Sequence, residues 1–223
     1  MIPLSSLRIG PAAELAPGVQ SGIDKRPAGR VLLLGPTGFA GDEQADLRRH
    51  GGPEKAVHHY DAGHYPVWRA ELGDLPALRP GGFGENLSTL GLSESDVAVG
   101  DVFRLGSALI EVSQARQPCW KLNLRFDRRD MARLVQQTGR SGWYYRVLEP
   151  GEVAPDDALA LVERRAPDWT LTRLHRVLYI DRQNRAELQA MASLAPLSPS
   201  WRDLAARRLD SGRVEDWQPR LDG

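Results

Sequence analysis

The chain has 223 residues, 41% of them hydrophobic, with 29 Lys+Arg against 29 Asp+Glu and a formal net charge of +0. That length holds one sizeable domain, or a main domain with a small appendage, and the balanced charge argues against a nucleic-acid polymer or an anionic membrane as partner. Its single cysteine excludes an internal disulfide and leaves no dithiol to store two electrons, so any redox reaction needs a cofactor and an outside donor.

No charged segment followed by a long apolar run opens the sequence, and no stretch approaches the ~20 apolar residues of a spanning helix, which leads us to expect a cytoplasmic protein. In chain order, residues 30–34 are a buried-strand candidate ending at Gly35-Pro36-Thr37-Gly38. Such a strand imitates a dinucleotide-binding turn, the basis for an alternative as a nicotinamide-dependent dehydrogenase. Asp42 and Glu43, however, stand where phosphates would dock, and no series of βαβ units follows.

Residues 62–72 carry a helical pattern. Residues 96–105 and 108–112 form two strands joined by Gly106-Ser107. A helix over 127–138 has Asp127 as N-cap, Met131, Leu134 and Val135 on one face, and Gly139 as its stop. Residues 141–148, rich in aromatic and β-branched types, form a strand halted by Glu149-Pro150-Gly151. Past Pro167 the pattern becomes helical: Thr170, Asn184 and Ser198-Pro199 each open a short helix, carrying Leu171, Leu174 and Leu178, then Leu188 and Met191, then Trp201, Leu204 and Leu209. The expected class is α+β, with a twisted barrel or mixed sheet and inserted helices over 1–165 and three helices over 166–223. The neutral role for those helices is packing support or a homodimer contact.

Three clusters carry candidate chemistry. In His50-Gly51-Gly52-Pro53-Glu54-Lys55-Ala56-Val57-His58, the glycines allow close backbone approach while His50, Lys55 and His58 can donate to anionic oxygens. A tight turn with solvated charges explains the segment equally well, and the spacing of His58, His59, Asp61 and His64 matches no strong zinc signature. Pro80-Gly81-Gly82-Phe83-Gly84-Glu85-Asn86 offers bare amides beside an asparagine. In Ala115-Arg116-Gln117-Pro118-Cys119-Trp120-Lys121-Leu122-Asn123, two cations near Cys119 favour its thiolate, the form that attacks or binds metal. Inert core filling is the competing reading of a lone cysteine.

Taken in this order, these clusters and the segment from Gly142 to Gly151 resemble the MOSC domain family, named for the C-terminal domain of molybdenum cofactor sulfurase. Within it the chain most resembles YiiM-type proteins, which add a C-terminal three-helix domain. The resemblance implies a β-barrel core over 1–165, a helical domain over 166–223, and a molybdopterin-type molybdenum cofactor with Cys119 as metal ligand. It implies a reductase of N-hydroxylated compounds, such as N-hydroxylated purine bases, that yields amines and draws electrons from a separate reductase; a detoxifying role would follow. The alternative in the same family is a cofactor carrier or sulfur-handling module without turnover. By position, Gly51, Gly52, Lys55, Asn86, Arg116 and Asn123 would face the cofactor, and His50 or His58 would pass a proton to the leaving oxygen. Two departures, Ala115 where proline is usual and Pro155-Asp156-Asp157 where glycine then aspartate is common, bear on loop shape.

Overall fold

The computed structural model describes residues 1–223, apart from the side chains of residues 48 and 49. The chain opens with β1 (Ile2–Ile9), β2 (Ala13–Ala16), β3 (Val19–Ser21), β4 (Arg26–Pro27), β5 (Leu32–Gly35), β6 (Gly38–Phe39) and α1 (Leu47–His50). A 3-10 turn at Pro53–Lys55 leads into β7 (Val57–Asp61), α2 (His64–Leu72), β8 (Leu87–Thr89), β9 (Asp101–Leu105) and β10 (Ala108–Ala115). Then come α3 (Lys121–Arg125), α4 (Met131–Thr138), β11 (Trp143–Glu149), β12 (Gly151–Val153) and β13 (Ala158–Arg164). The C-terminal part holds α5 (Leu171–His175), which continues as a π-helical turn over Arg176–Ile180, α6 (Arg185–Ala192), α7 (Pro199–Ser211) and α8 (Gln218–Leu221).

Strands in the order β13-β9-β10-β11-β7-β8-β1 close into a barrel through pairing of β1 with β13, and closure leaves no sheet edge among them. All these pairs are antiparallel except β7 with β8, and a parallel pair needs a crossover, which residues 62–86 with α2 supply. Phe103, Leu105, Ile110, Val112, Trp143 and Tyr145 fill the interior. β7 is buried on both faces: Val57 belongs to the barrel core, whereas Tyr60 belongs to a second core with Trp68, Phe83, Phe126, Met131 and Val135 under the helices. Its polar residues follow that alternation. His59 points inward, with Nδ1 3.0 Å from the Tyr145 hydroxyl and Nε2 2.9 Å from Thr89 Oγ1, and burial pushes its pKa down to about 3. His58 points the other way.

A register shift on β10 sets the position of the site. The strand pairs Val112 with Tyr145 but Gln114 with Tyr144, leaving Ser113 as the extra residue. One extra residue reverses the parity of all that follow, so Ala115 joins the barrel core while Gln114 and Arg116 turn outward beside Tyr144. Ser113 is held by its hydroxyl, which donates to the Glu54 and Tyr144 carbonyls at 2.6 and 3.1 Å.

Several expected boundaries move, each for a local reason. Residues 30–34 are half-buried rather than buried: Leu32 and Leu34 are covered while Val31 and Leu33 are exposed, because β5 belongs to a small sheet with β12 and β6 that has one wet face. The turn at Gly35 joins β5 to β6, so no helix N-terminus stands behind it and the dinucleotide reading fails. The first strand of the 96–112 hairpin begins at Asp101, since residues 96–100 form turns held by Asp101 Oδ2 accepting from the Ala98 amide at 2.9 Å. The helix expected from Asp127 starts at Met131, with Asp130 at the cap position; Asp127 has φ 49° and is outside it.

Thr170 and Asn184 do cap their helices, accepting from the Arg173 and Glu187 amides, and Pro199 is at the first turn of α7. Leu171, Leu174, Leu178, Leu188, Met191 and Trp201 join the same apolar cluster as Val99, Phe103 and Val112, so the helical unit completes the barrel's core rather than standing beside it. A fourth helix, α8, follows it. Its Leu221 is buried with Leu122, Phe126 and Met131, which contributes about 2 kcal/mol.

Candidate functional site

The outward side chains of β7 and β11, with Arg116 just past the end of β10, meet the 21–25 and 42–55 segments around a cavity. His50, Lys55, His58, Asn86, Arg116 and Cys119 line it, together with Lys25, Asp42, Phe83, Gly84, Lys121 and Tyr144. The three clusters singled out in sequence are thus brought to one place. Gly51, Gly52 and Asn123 are not in its wall. Gly52 (φ 94°) supplies the backbone shape before Pro53, and a Cβ on Gly51 would meet Leu47. Asn123 is consumed by structure: Oδ1 accepts from the Ala132 amide and Nδ2 donates to the Leu221 carbonyl, both at 2.8 Å.

Asn86 faces the cavity with its amide nitrogen fully engaged and its oxygen accepting one bond. Oδ1 accepts from the His58 amide at 3.1 Å, and Nδ2 donates to the Arg8 carbonyl at 3.1 Å and to Asp42 Oδ2 at 2.9 Å. Asp42 in turn pairs with Lys25 and accepts from the Gly10 amide at 3.0 Å. The Lys25–Asp42 pair is buried, and its network fixes one wall of the cavity. Desolvation lowers the Lys25 pKa against the pull of Asp42.

Two of the cavity's other polar atoms are not so occupied. His58 Nε2 and Arg116 Nη1 are buried without a hydrogen-bond partner among the described residues. His58 is 4% exposed and Arg116 7%, and since buried polar atoms in folded proteins pair with protein, water or ligand groups, both are available to a group bound in the cavity. Burial, then the Arg116 cation, holds the His58 pKa well below its ordinary value. Burial, with Lys121, Arg116 and Lys55, pushes His50 down to about 4. Both rings are therefore neutral near pH 7, and the cavity's charge comes from Lys55, Arg116 and Lys121. Desolvation also lowers Lys55, opposed by Asp46 and Cys119. Gly142 (φ 72°) makes this crowding possible, since a Cβ there would lie 2.2 Å from the His59 carbonyl oxygen and 2.9 Å from His58 Nε2.

Cys119 is half-buried at the cavity's mouth, with Sγ 3.5 Å from His50 Nε2. Two devices hold its surroundings. The turn carrying Lys55 is anchored by Glu54, which accepts from Arg146 at 2.6 Å. The cysteine loop is gripped from both sides by the tail: the Trp120 amide donates to the Arg220 carbonyl at 2.8 Å, and the Arg220 guanidinium donates to the Pro118 carbonyl and to Gln136. Deleting residues 218–223 should raise hydrogen exchange of the Trp120 amide about tenfold, the equivalent of one hydrogen bond. Amides between β10 and β11 serve as the unchanged reference in the same measurement.

Among the described residues no group of three or more His, Cys, Asp or Glu side chains could hold a metal ion. His58 and His59 face opposite sides of β7, so the histidine run does not converge. A metal would have to arrive with its own ligand frame and take the single thiolate. The donor set suits that. Arg116 Nη1 can only donate, His58 Nε2 donates in one tautomer, and both share the space with Lys55 and Lys121, an arrangement suited to an anionic oxygen-bearing group beside a soft sulfur ligand.

Comparison with known proteins agrees with this architecture. The MOSC domain profile matches residues 46–160, and the profile for a YiiM-like, 3-alpha helix domain matches residues 169–212. The YiiM protein of Escherichia coli strain K12 is 43% identical over 212 residues, covering 92% of each chain. Its crystal structure superimposes with a TM-score of 0.84 at 36% identity, covering 100% of both chains. A protein of Gibberella moniliformis named a reductase is 39% identical over 195 residues, which are 86% of this chain and 34% of that one. The chain belongs to the MOSC domain family, in the branch that carries the YiiM-like three-helix domain. The tail from residue 213 onward, including the Arg220 grip, lies outside both matched regions.

Proposed function

We propose that the chain binds a molybdopterin-type cofactor through Cys119 and works as a reductase that converts N-hydroxylated compounds, among them N-hydroxylated purine bases, to amines. The observation that carries this reading is the placement of two buried, unpartnered polar atoms, His58 Nε2 and Arg116 Nη1, in one cavity with the lone thiol. Lys55, Lys121 and Arg116 would hold the anionic part of the cofactor, and Cys119 would ligate the metal. When bound, that group would supply the two-electron chemistry that no side chain here can perform.

The reaction R–NHOH + 2e⁻ + 2H⁺ → R–NH₂ + H₂O also needs protons at the departing oxygen. His50, with Nε2 3.5 Å from Cys119 Sγ, and His58, in the same cavity, would relay them as neutral imidazoles. Asn86, Lys25 and Asp42 would keep the cavity wall rigid, so that little reorganises on binding. Electrons would come from a separate reductase. The Gibberella moniliformis relative named a reductase supports the redox class. No helix among the described residues is long and apolar enough to cross a membrane, which is compatible with work in the cytoplasm.

The test uses protein purified from cells that make the cofactor, assayed with a chemical electron donor and N-hydroxylated adenine. Appearance of adenine, dependent on bound molybdenum, is the expected result. Bound cofactor without turnover across a panel of N-hydroxylated substrates would assign the chain to the carrier class instead.

A further inference from the structure

The space around Cys119 has two connected parts that differ in their unpartnered polar atoms. The inner cavity is cationic, and its unpartnered Arg116 Nη1 is a donor. An outer groove shares His50, Lys55, Cys119, Lys121 and Tyr144 with it and continues past Gln114 and Trp120 to Trp201 and Arg220 of the C-terminal helices. The unpartnered buried atom of this groove is an acceptor, Gln114 Oε1, on a side chain only 2% exposed.

The amide's orientation is set locally. Gln114 Nε2 donates to the Ala115 carbonyl at 3.5 Å, and turning the group over would place two oxygens face to face. The parity change at Ser113 is what presents this side chain outward at all. An anion can satisfy the inner donor but not this acceptor, which calls for a ligand N–H. The Arg220 guanidinium at the groove's far end is engaged by the Pro118 carbonyl and Gln136. Trp120, Tyr144 and Trp201 give the groove aromatic walls suited to a planar ring.

We infer that the outer groove is the substrate site, and that it takes a planar aromatic compound whose exocyclic N–H donates to Gln114, with Trp201 of the helical unit forming part of the wall. The inference rests on the reductase reading in one respect: a hydroxylamine R–NHOH and its amine product both carry that N–H, so one acceptor recognises the compound on either side of the reaction. It also assigns the C-terminal helices a share in selecting the substrate.

The experiment is calorimetric binding of adenine and of purine, which lacks the exocyclic amine, to cofactor-loaded protein. Wild type is expected to bind adenine about tenfold more tightly than purine, the worth of one buried hydrogen bond. Gln114→Met, similar in size but without the acceptor, should lose that preference while binding purine and retaining cofactor as wild type does; Gln114→Glu should keep the preference. A preference for adenine that survives in Gln114→Met overturns the inference, as does failure of wild type to bind either base. The outcomes separate the two readings. Discrimination through Gln114 without N-hydroxyl reduction leaves the groove standing and removes the reductase; turnover of N-hydroxylated adenine with no effect of Gln114→Met removes only the groove.

Discussion

Cys119→Ser protein, made in cells that supply the cofactor, is expected to keep its fold and lose molybdenum-dependent turnover by at least about a hundredfold, since even residues that only support a metal ligand cost 10- to 100-fold when removed. Serine matches the size of the thiol at a half-buried position, so the barrel has no reason to rearrange. Its hydroxyl is a hard ligand that stays protonated near neutral pH, a poor substitute for soft sulfur. The check is metal content per chain beside near-ultraviolet circular dichroism. Unchanged dichroism with depleted molybdenum is the expected pair of results.

Arg116→Met is expected to move two measurements in opposite directions. In the chain alone, Arg116 Nη1 is buried without a partner, and the guanidinium shares its cavity with Lys55 and Lys121. A buried donor left unpaired costs about 1–3 kcal/mol, so replacing it with an apolar side chain of similar length should stabilise the apoprotein. At roughly 2–4 °C per kcal/mol for a chain of this size, a gain of a few degrees in Tm is within reach of calorimetry. Cofactor retention should fall by roughly 10- to 100-fold, because a hydrogen bond to a charged group contributes about 1.5–3 kcal/mol. A purely structural arginine would lower the Tm instead.

The sequence was most legible where a local rule and the tertiary structure agree. The Gly106-Ser107 turn, the stop at Gly139 with its left-handed backbone, and the Thr170 and Asn184 caps are fixed by neighbouring residues, and the structure places them as the pattern predicts. The cavity's polar residues were legible for another reason: His50, Lys55, His58, Arg116 and Cys119 are chemically conspicuous within short glycine- or proline-containing segments. What escaped depends on distance. Lys25 and Asp42 are seventeen residues apart with no local rule to join them, yet they form a buried pair beside Asn86. Asn123, which the resemblance puts near the cofactor, spends its amide on backbone groups far along the chain, and Asn86, though it lines the cavity, is held by the His58 amide, the Arg8 carbonyl and Asp42. The extra residue at Ser113 has no marker in the sequence, and it decides which way Gln114 and Arg116 face. The short helix α8 carries too few apolar residues to announce that Leu221 and Arg220 close over the cysteine loop.

The measurement that bears most directly on the central claim is the molybdenum and pterin content of the wild-type chain, quantified together after purification from cells able to make the cofactor. A cavity that presents Arg116 and His58 unpartnered beside Cys119 predicts both in equal amounts, approaching one of each per chain and lost together on denaturation. Fully folded protein from such cells, carrying neither metal nor pterin, would contradict the account.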